Sequence, residues 1–202
     1  MKKFIIIFMA IALLGLVGAG ISYYSSNNAK VKSVMSVTFS AVDATSGISR
    51  AAKELKYDEK FLIQVAQRES SLNPKARNRY SSAVGLYQFL DSTWGSVVSK
   101  YGDKYGLTKN GRTDPYISTK GMILHTQENI RIMSKSLKRD ITNKEAYLAH
   151  FAGVQGALKL IRSLPQAKVE NVLGSDTVRR NPILKGLTVK QAIAELTQGI
   201  DN

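Results

Sequence analysis

The sequence predicts a mainly α-helical fold, and three observations predict it. From Ile48 onward, apolar residues recur at helical spacing in one segment after another. Capping and stopping residues, among them Asp58, Asn73-Pro74 and Pro115, bracket those segments. The connections between them are short, and the chain carries no internal repeat or low-complexity tract.

The elements follow in order. Lys2 and Lys3 precede a stretch that is uncharged from Phe4 to Ala29. It predicts an N-terminal apolar helix near the length that crosses a bilayer. Residues 1–24 read either as a signal peptide ending near VGAGIS or as a retained anchor with Tyr23 and Tyr24 at the interface. Gly15, Gly18 and Gly20 make the run only modestly apolar, so an anchor that later leaves the bilayer is a third reading. Each reading keeps Lys2 and Lys3 inside and exports the rest to the periplasm or cell envelope, tethered at first to the inner membrane in the anchored cases. Residues 25–47 are rich in Ser and small side chains and read as a linker, with Val34–Val42 suited to a short strand.

Residues 48–202 read as one domain. ISRAAKELKY fits a short amphipathic helix. DEKFLIQVAQRES forms the next, capped by Asp58 and burying Phe61, Leu62, Val65 and Ala66. A small β-hairpin is compatible with Ser81–Phe89. Asp91 or Ser92 is expected to cap a helix carrying Trp94, Val97 and Val98. Gly102 to Asp114 reads as loop. Pro115 opens a long helix reaching about Lys138, with Ile117, Met122, Ile123, Ile130, Met133 and Leu137 as core candidates. NKEAYLAHFAG and VQGALKLIRSL predict two further helices, Pro165–Gly186 is less regular, and Thr188–Thr197 is the last helix, capped near Thr188.

Composition bounds the function. The formal charge is +14; four of the 29 basic and one of the 15 acidic residues precede Ile48, so +11 remains on the domain. That charge favours a polyanionic partner, and an anionic envelope fits it. The basic clusters Lys75/Arg77/Arg79, Lys138/Arg139 and Arg179/Arg180 come with no aromatic RNA-binding signature or finger, so nucleic acid is not expected as a partner. No cysteine is present, and His125 and His150 stand far apart, so neither a metal site nor a cofactor is expected.

The chemistry centres on Glu69, at the end of a helix whose apolar face turns to the core. A carboxyl group in a partly apolar cleft is pushed up in pKa and can stay protonated, as a general acid on a glycosidic oxygen must. Glu69-Ser70, Asn73-Pro74, Ala76, Gly85-Leu86-Tyr87-Gln88 and Thr93-Trp94 together resemble the catalytic signature of lytic transglycosylases of the goose-type lysozyme-like fold. AYLAHFAGVQGALKLI and DPYISTKGMILHTQENIRIMSKSL resemble the family's later segments, and the likeness fades after Pro165.

The resemblance implies cleavage of the β-1,4 bond between N-acetylmuramic acid and N-acetylglucosamine in peptidoglycan, with a 1,6-anhydro product and no cofactor. Retaining and inverting hydrolases need two carboxylates. A transglycosylase needs one, because the substrate's acetamido group and 6-hydroxyl replace the second. Carried over residue by residue, Glu69 is catalytic, Gln88 lines the sugar cleft with donor and acceptor, Gly85 lets backbone approach substrate, and Ser70 holds Glu69 or contacts substrate. The family's next Ser falls on Asn78 by direct counting, with Ser81 and Ser82 close by; Ser82 is taken as a binding candidate. The family often has Met where Tyr87 stands. The family's Tyr-Asn pair aligns with His150-Phe151 or with Tyr147-Leu148, so both Tyr147 and His150 are candidates to support Glu69 or bind the acetamido group, with His150 favoured.

The apolar N-terminus looks like the releasable signal-anchor of some phage lysis enzymes, which makes a phage endolysin the expected role; a monomer is the expected state. A goose-type muramidase and a non-catalytic, membrane-tethered peptidoglycan-binding protein remain the alternatives.

Overall fold

A 27-residue helix, α1 (Ala29–Leu55), opens the computed structural model, which describes residues 29–202. The apolar N-terminal run lies outside the described residues. Among the described residues, no helix is long and apolar enough to cross a membrane. The stretch read as a linker is helical from Ala29, and Val34–Val42 is helix rather than strand. A lone strand would leave its backbone groups unpaired, whereas a helix pairs them internally. The chain divides after Val42, and Asp43–Asn202 form one compact unit. Within that unit α1 buries Ala44, Ile48, Ala51 and Ala52, which fall on one helical face.

Helix α2 (Glu59–Ser70) starts where the Asp58 carboxylate accepts from the Phe61 amide at 3.2 Å. Phe61, Leu62, Val65 and Ala66 are fully buried, as their spacing predicts. The helix ends on two left-handed residues, Ser71 (φ 53°) and Leu72 (φ 61°), ahead of Asn73-Pro74.

The following loop is not a hairpin. Two isolated antiparallel bridges, Arg77 with Val84 and Val84 with Phe89, take its place. Turns at Gly85 (φ 87°) and Gln88 (φ 48°) interrupt each pairing after a single residue.

Helix α3 (Asp91–Tyr105) has Leu90 at its cap position with no side-chain cap. The expected capping by Asp91 or Ser92 is therefore corrected: Asp91 is the first helical residue, and its carboxylate pairs instead with Arg112. Gly106 (φ 68°) terminates α3, and a 3-10 turn (Lys109–Thr113) occupies part of the expected loop. Trp94 is buried and donates its indole N–H to the carbonyls of Thr108 (3.1 Å) and Lys109 (3.0 Å).

Helix α4 (Pro115–Leu137) is capped by Asp114, whose carboxylate accepts from the Ile117 amide at 2.8 Å. Met122, Ile123 and Met133 are fully buried; Ile117, Ile130 and Leu137 are half-buried at the margins of the core. Helix α5 (Asn143–Arg162) begins with a Thr142–Glu145 capping box and breaks at Gly153 (φ 69°), which gives the two expected helical halves. Short helices α6 (Val169–Leu173) and α7 (Ser175–Arg180) and a 3-10 turn (Pro182–Leu184) fill the irregular region. Helix α8 (Val189–Leu196) closes the chain behind a Thr188–Gln191 capping box.

Two apolar cores result. One gathers Ile48, Phe61, Leu62, Tyr87, Trp94, Met122 and Ile123; the other gathers Met133, Leu148, Leu160, Val169, Leu184 and Leu196. Helices α4 and α5 supply both, so they form the spine on which α2 and the loop after it are set.

Gly121 of α4 lies under the Trp94 ring, and a Cβ there would overlap the ring carbons. Gly121→Ala is expected to lower unfolding stability by about 1–3 kcal/mol through overpacking, measured by chemical denaturation. Gly95→Ala, also inside a helix but meeting no atom within 4 Å, serves as the control and is expected to raise stability by up to about 1 kcal/mol.

Candidate active site

Glu69 occupies the last turn of α2, half-buried in a cleft of about 280 Å³. Gln88 and Phe89 from the loop, Thr93 of α3, His150 and Phe151 of α5, and Asn181 share the lining. Glu69 is the only carboxylate in that lining, and all acidic residues of the chain lie within the described part.

The Tyr147 hydroxyl donates to Glu69 Oε1 at 2.6 Å. Tyr147 is buried, and burial first, then the neighbouring Glu69 charge, pushes its phenol far up, so it remains a donor at any physiological pH. Arg68, adjacent to Glu69, does not pair with it. Its guanidinium donates to the carbonyls of Glu195 (2.7 Å) and Gln198 (3.0 Å) at the C-terminal end of α8 and lies 5.8 Å from the centre of the Tyr147 ring. A cation there meets the negative end of a helix, and the contact ties α2 to the end of the chain.

The structure separates the two candidates on α5. Tyr147, not the favoured His150, bonds Glu69. His150 places Nε2 2.9 Å from the Tyr87 carbonyl, and since a carbonyl only accepts, Nε2 carries the proton. Its Nδ1 is buried without a partner. His150 thus holds the peptide that leads into Gln88 while its ring lines the cleft.

The remaining candidates divide between cleft and scaffold. Gln88 is in the lining, but its amide nitrogen donates to Gly85 (2.9 Å) and Ala76 (3.3 Å) carbonyls, so it presents an acceptor rather than both groups. Ser70 shares its proton between the Ala66 (3.0 Å) and Leu86 (2.9 Å) carbonyls and so pins the loop to α2. A Cβ at Gly85 would overlap the Arg112 carbonyl oxygen, so glycine is required there by a close approach to the protein's own backbone. Ser82 Oγ accepts from the Asp91 amide at 3.1 Å, outside the cleft. Asn78, the residue reached by direct counting, lines it.

Asn181 was not anticipated. It follows α7, and its Nδ2 donates to the Thr177 carbonyl at 2.9 Å. Its sequence surroundings carry no signal, because only long-range packing brings it to the cleft. Tyr87, where Met is common in the resembled family, is buried with its hydroxyl 3.0 Å from Thr119 Oγ1. Among the described residues, no three His, Cys, Asp or Glu side chains converge as a metal site would require.

The family profile described as Transglycosylase SLT domain matches residues 46–168, and the helical unit agrees with that lysozyme-like class. The chain is similar to the "Probable transglycosylase SceD" of Staphylococcus aureus strain Mu3, 47% identical over 64 residues, or 31% of this chain and 28% of the relative. It is also similar to the protein of that name from strain Newman, 58% identical over 41 residues, or 20% of this chain and 18% of the relative. The chain therefore spans under a third of the length of these curated relatives.

Behind His150 stands His125, their ring centres 6.3 Å apart. Burial first, then repulsion from His150, pushes His125 down from 6.5 to about 4. Between those two values the unfolded chain binds the proton that the folded chain refuses. This contribution to stability is complete above about pH 6.5 and is lost as pH falls toward 4, by up to about 3 kcal/mol. His125→Phe is expected to flatten the pH dependence of the denaturation midpoint across that window.

Proposed function

The chain belongs to the transglycosylase SLT domain family, and from that premise we propose that it is a peptidoglycan lytic transglycosylase. It cleaves the bond from C1 of N-acetylmuramic acid to O4 of N-acetylglucosamine. One observation carries the reading: Glu69 is the single carboxylate of the cleft, and Tyr147 holds one of its oxygens.

The steps balance with that one carboxyl group. Protonated Glu69 gives its proton to the glycosidic oxygen as the C1–O4 bond breaks, and the acetamido group of the muramic residue stabilises C1. Glu69, now a carboxylate, takes the proton of the 6-hydroxyl as that oxygen bonds to C1. The 1,6-anhydro ring forms, and Glu69 is protonated again. Tyr147 on Oε1 leaves Oε2 to face the reacting oxygens. No water is consumed, so no second base is needed.

Action on the wall places the domain outside the cytoplasmic membrane, with residues 4–24 as the export signal or releasable anchor. Phage lysis is the role we assign. The net charge of +14 and the modestly apolar N-terminus support it.

Glu69→Gln is expected to reduce release of soluble fragments from purified peptidoglycan by about 10²–10⁴-fold or more, with melting temperature and sacculus binding retained. Tyr147→Phe removes only the bond that fixes the acid and is expected to lower kcat by about 10- to 100-fold. Turnover of Glu69→Gln near that of the wild type would refute the assignment.

A further inference from the structure

The loop from Asn78 to Ala83 stands at the margin of the cleft and has no part in the chemistry above. Its base is Asn78 and Ala83, both of which line the cleft. The loop is built rather than slack. The Asn78 amide donates to the Ala83 carbonyl at 3.0 Å, Asn78 Oδ1 accepts from the Tyr80 amide at 2.8 Å, and Ser81 Oγ accepts from the Ala83 amide at 3.2 Å.

Those bonds hold Tyr80 at the tip with 86% of its surface in water, against 67% for Leu164, the next most exposed large apolar residue among the described ones. Arg79 lies 5.5 Å from the centre of its ring. Arg79, Arg77 and Lys75 are all exposed, and none pairs with a carboxylate among the described residues. Leu90, 44% exposed, adds an apolar residue to the cleft lining itself.

We propose that this loop is an outlying subsite for the glycan strand that leaves the cleft: Tyr80 stacks on the apolar face of a sugar ring, and the basic trio pairs with the carboxylates of the peptide stems. An aromatic side chain on a braced loop has only two torsions to fix on binding and presents a flat apolar face with a polar tip. The charge is complementary, since muramic residues carry acidic stems. Continuity with the cleft selects the same strand as the ligand. The inference rests on the reading of the cleft as a peptidoglycan site.

The test measures binding by calorimetry in the uncleaving Glu69→Gln full-length chain. Its ligands are long soluble glycan strands with stems, the same strands stripped of stems, and a tetrasaccharide. Tyr80→Ala should weaken binding of both long strands by about tenfold and leave the tetrasaccharide unchanged, while Tyr80→Phe retains affinity. Arg79→Ala should weaken only stem-bearing strands. Because Tyr80 is exposed, the melting temperature should not move. Unchanged long-strand binding by Tyr80→Ala, or an equal loss for the tetrasaccharide, would overturn the subsite. A wild-type chain that binds strands through Tyr80 but releases no fragments would instead overturn the catalytic reading and leave the subsite standing.

Discussion

A single hydrogen bond, from the Tyr147 hydroxyl to Glu69 Oε1, joins two helices whose residues are 78 apart in sequence. Everything else in the site depends on holding those two side chains in register. Helix α4 packs against both cores, so it fixes the position of α5, and with it Tyr147. Arg68 ties the last turn of α2 to the carbonyls at the end of α8. The residues after the family match therefore support the turn that carries Glu69, although they contribute only Asn181 to the cleft lining.

The loop after Glu69 is held by the protein's own contacts. Ser70 bonds the Leu86 carbonyl, His150 the Tyr87 carbonyl, and Gln88 folds its amide back onto Gly85. Gly85 and Gln88 both adopt positive φ, a conformation that costs a non-glycine residue about 1–3 kcal/mol. These bonds offset that strain. The motif that resembles a substrate-binding signature is thus largely a device for shaping the cleft wall, and among the polar groups lining that cleft are the Glu69 carboxyl, the Gln88 carbonyl oxygen, Asn78 and Asn181.

The helices were legible because their determinants are local. Asp58 and Thr188 cap where the sequence suggests, Asp114 and Thr142 cap directly ahead of the helix starts expected at Pro115 and Asn143, and Gly153 divides α5 at the seam between two apolar runs. Glu69 was legible through the spacing of its motif. The choice between Tyr147 and His150 was not, because they are three residues apart on one helical turn and spacing does not say which reaches Glu69. The backbone reason for Gly85 was not legible either, because the Arg112 carbonyl beside it comes from a distant segment. Asp91 looked like a cap because its partner, Arg112, is equally remote in sequence. The extension of α1 back to Ala29 runs against the Val- and Ser-rich composition that suggested a strand and a linker.

In the proposed reaction one carboxyl group, held by one tyrosine, suffices together with groups the substrate supplies. Mass spectrometry of the fragments that the full-length chain releases from purified peptidoglycan tests it most directly. A one-carboxyl reaction yields muramic ends in the 1,6-anhydro form, lighter by one water and inert to borohydride. Reducing ends that borohydride converts to alditols would contradict it, since water would then have been the nucleophile and the cleft would have to activate it.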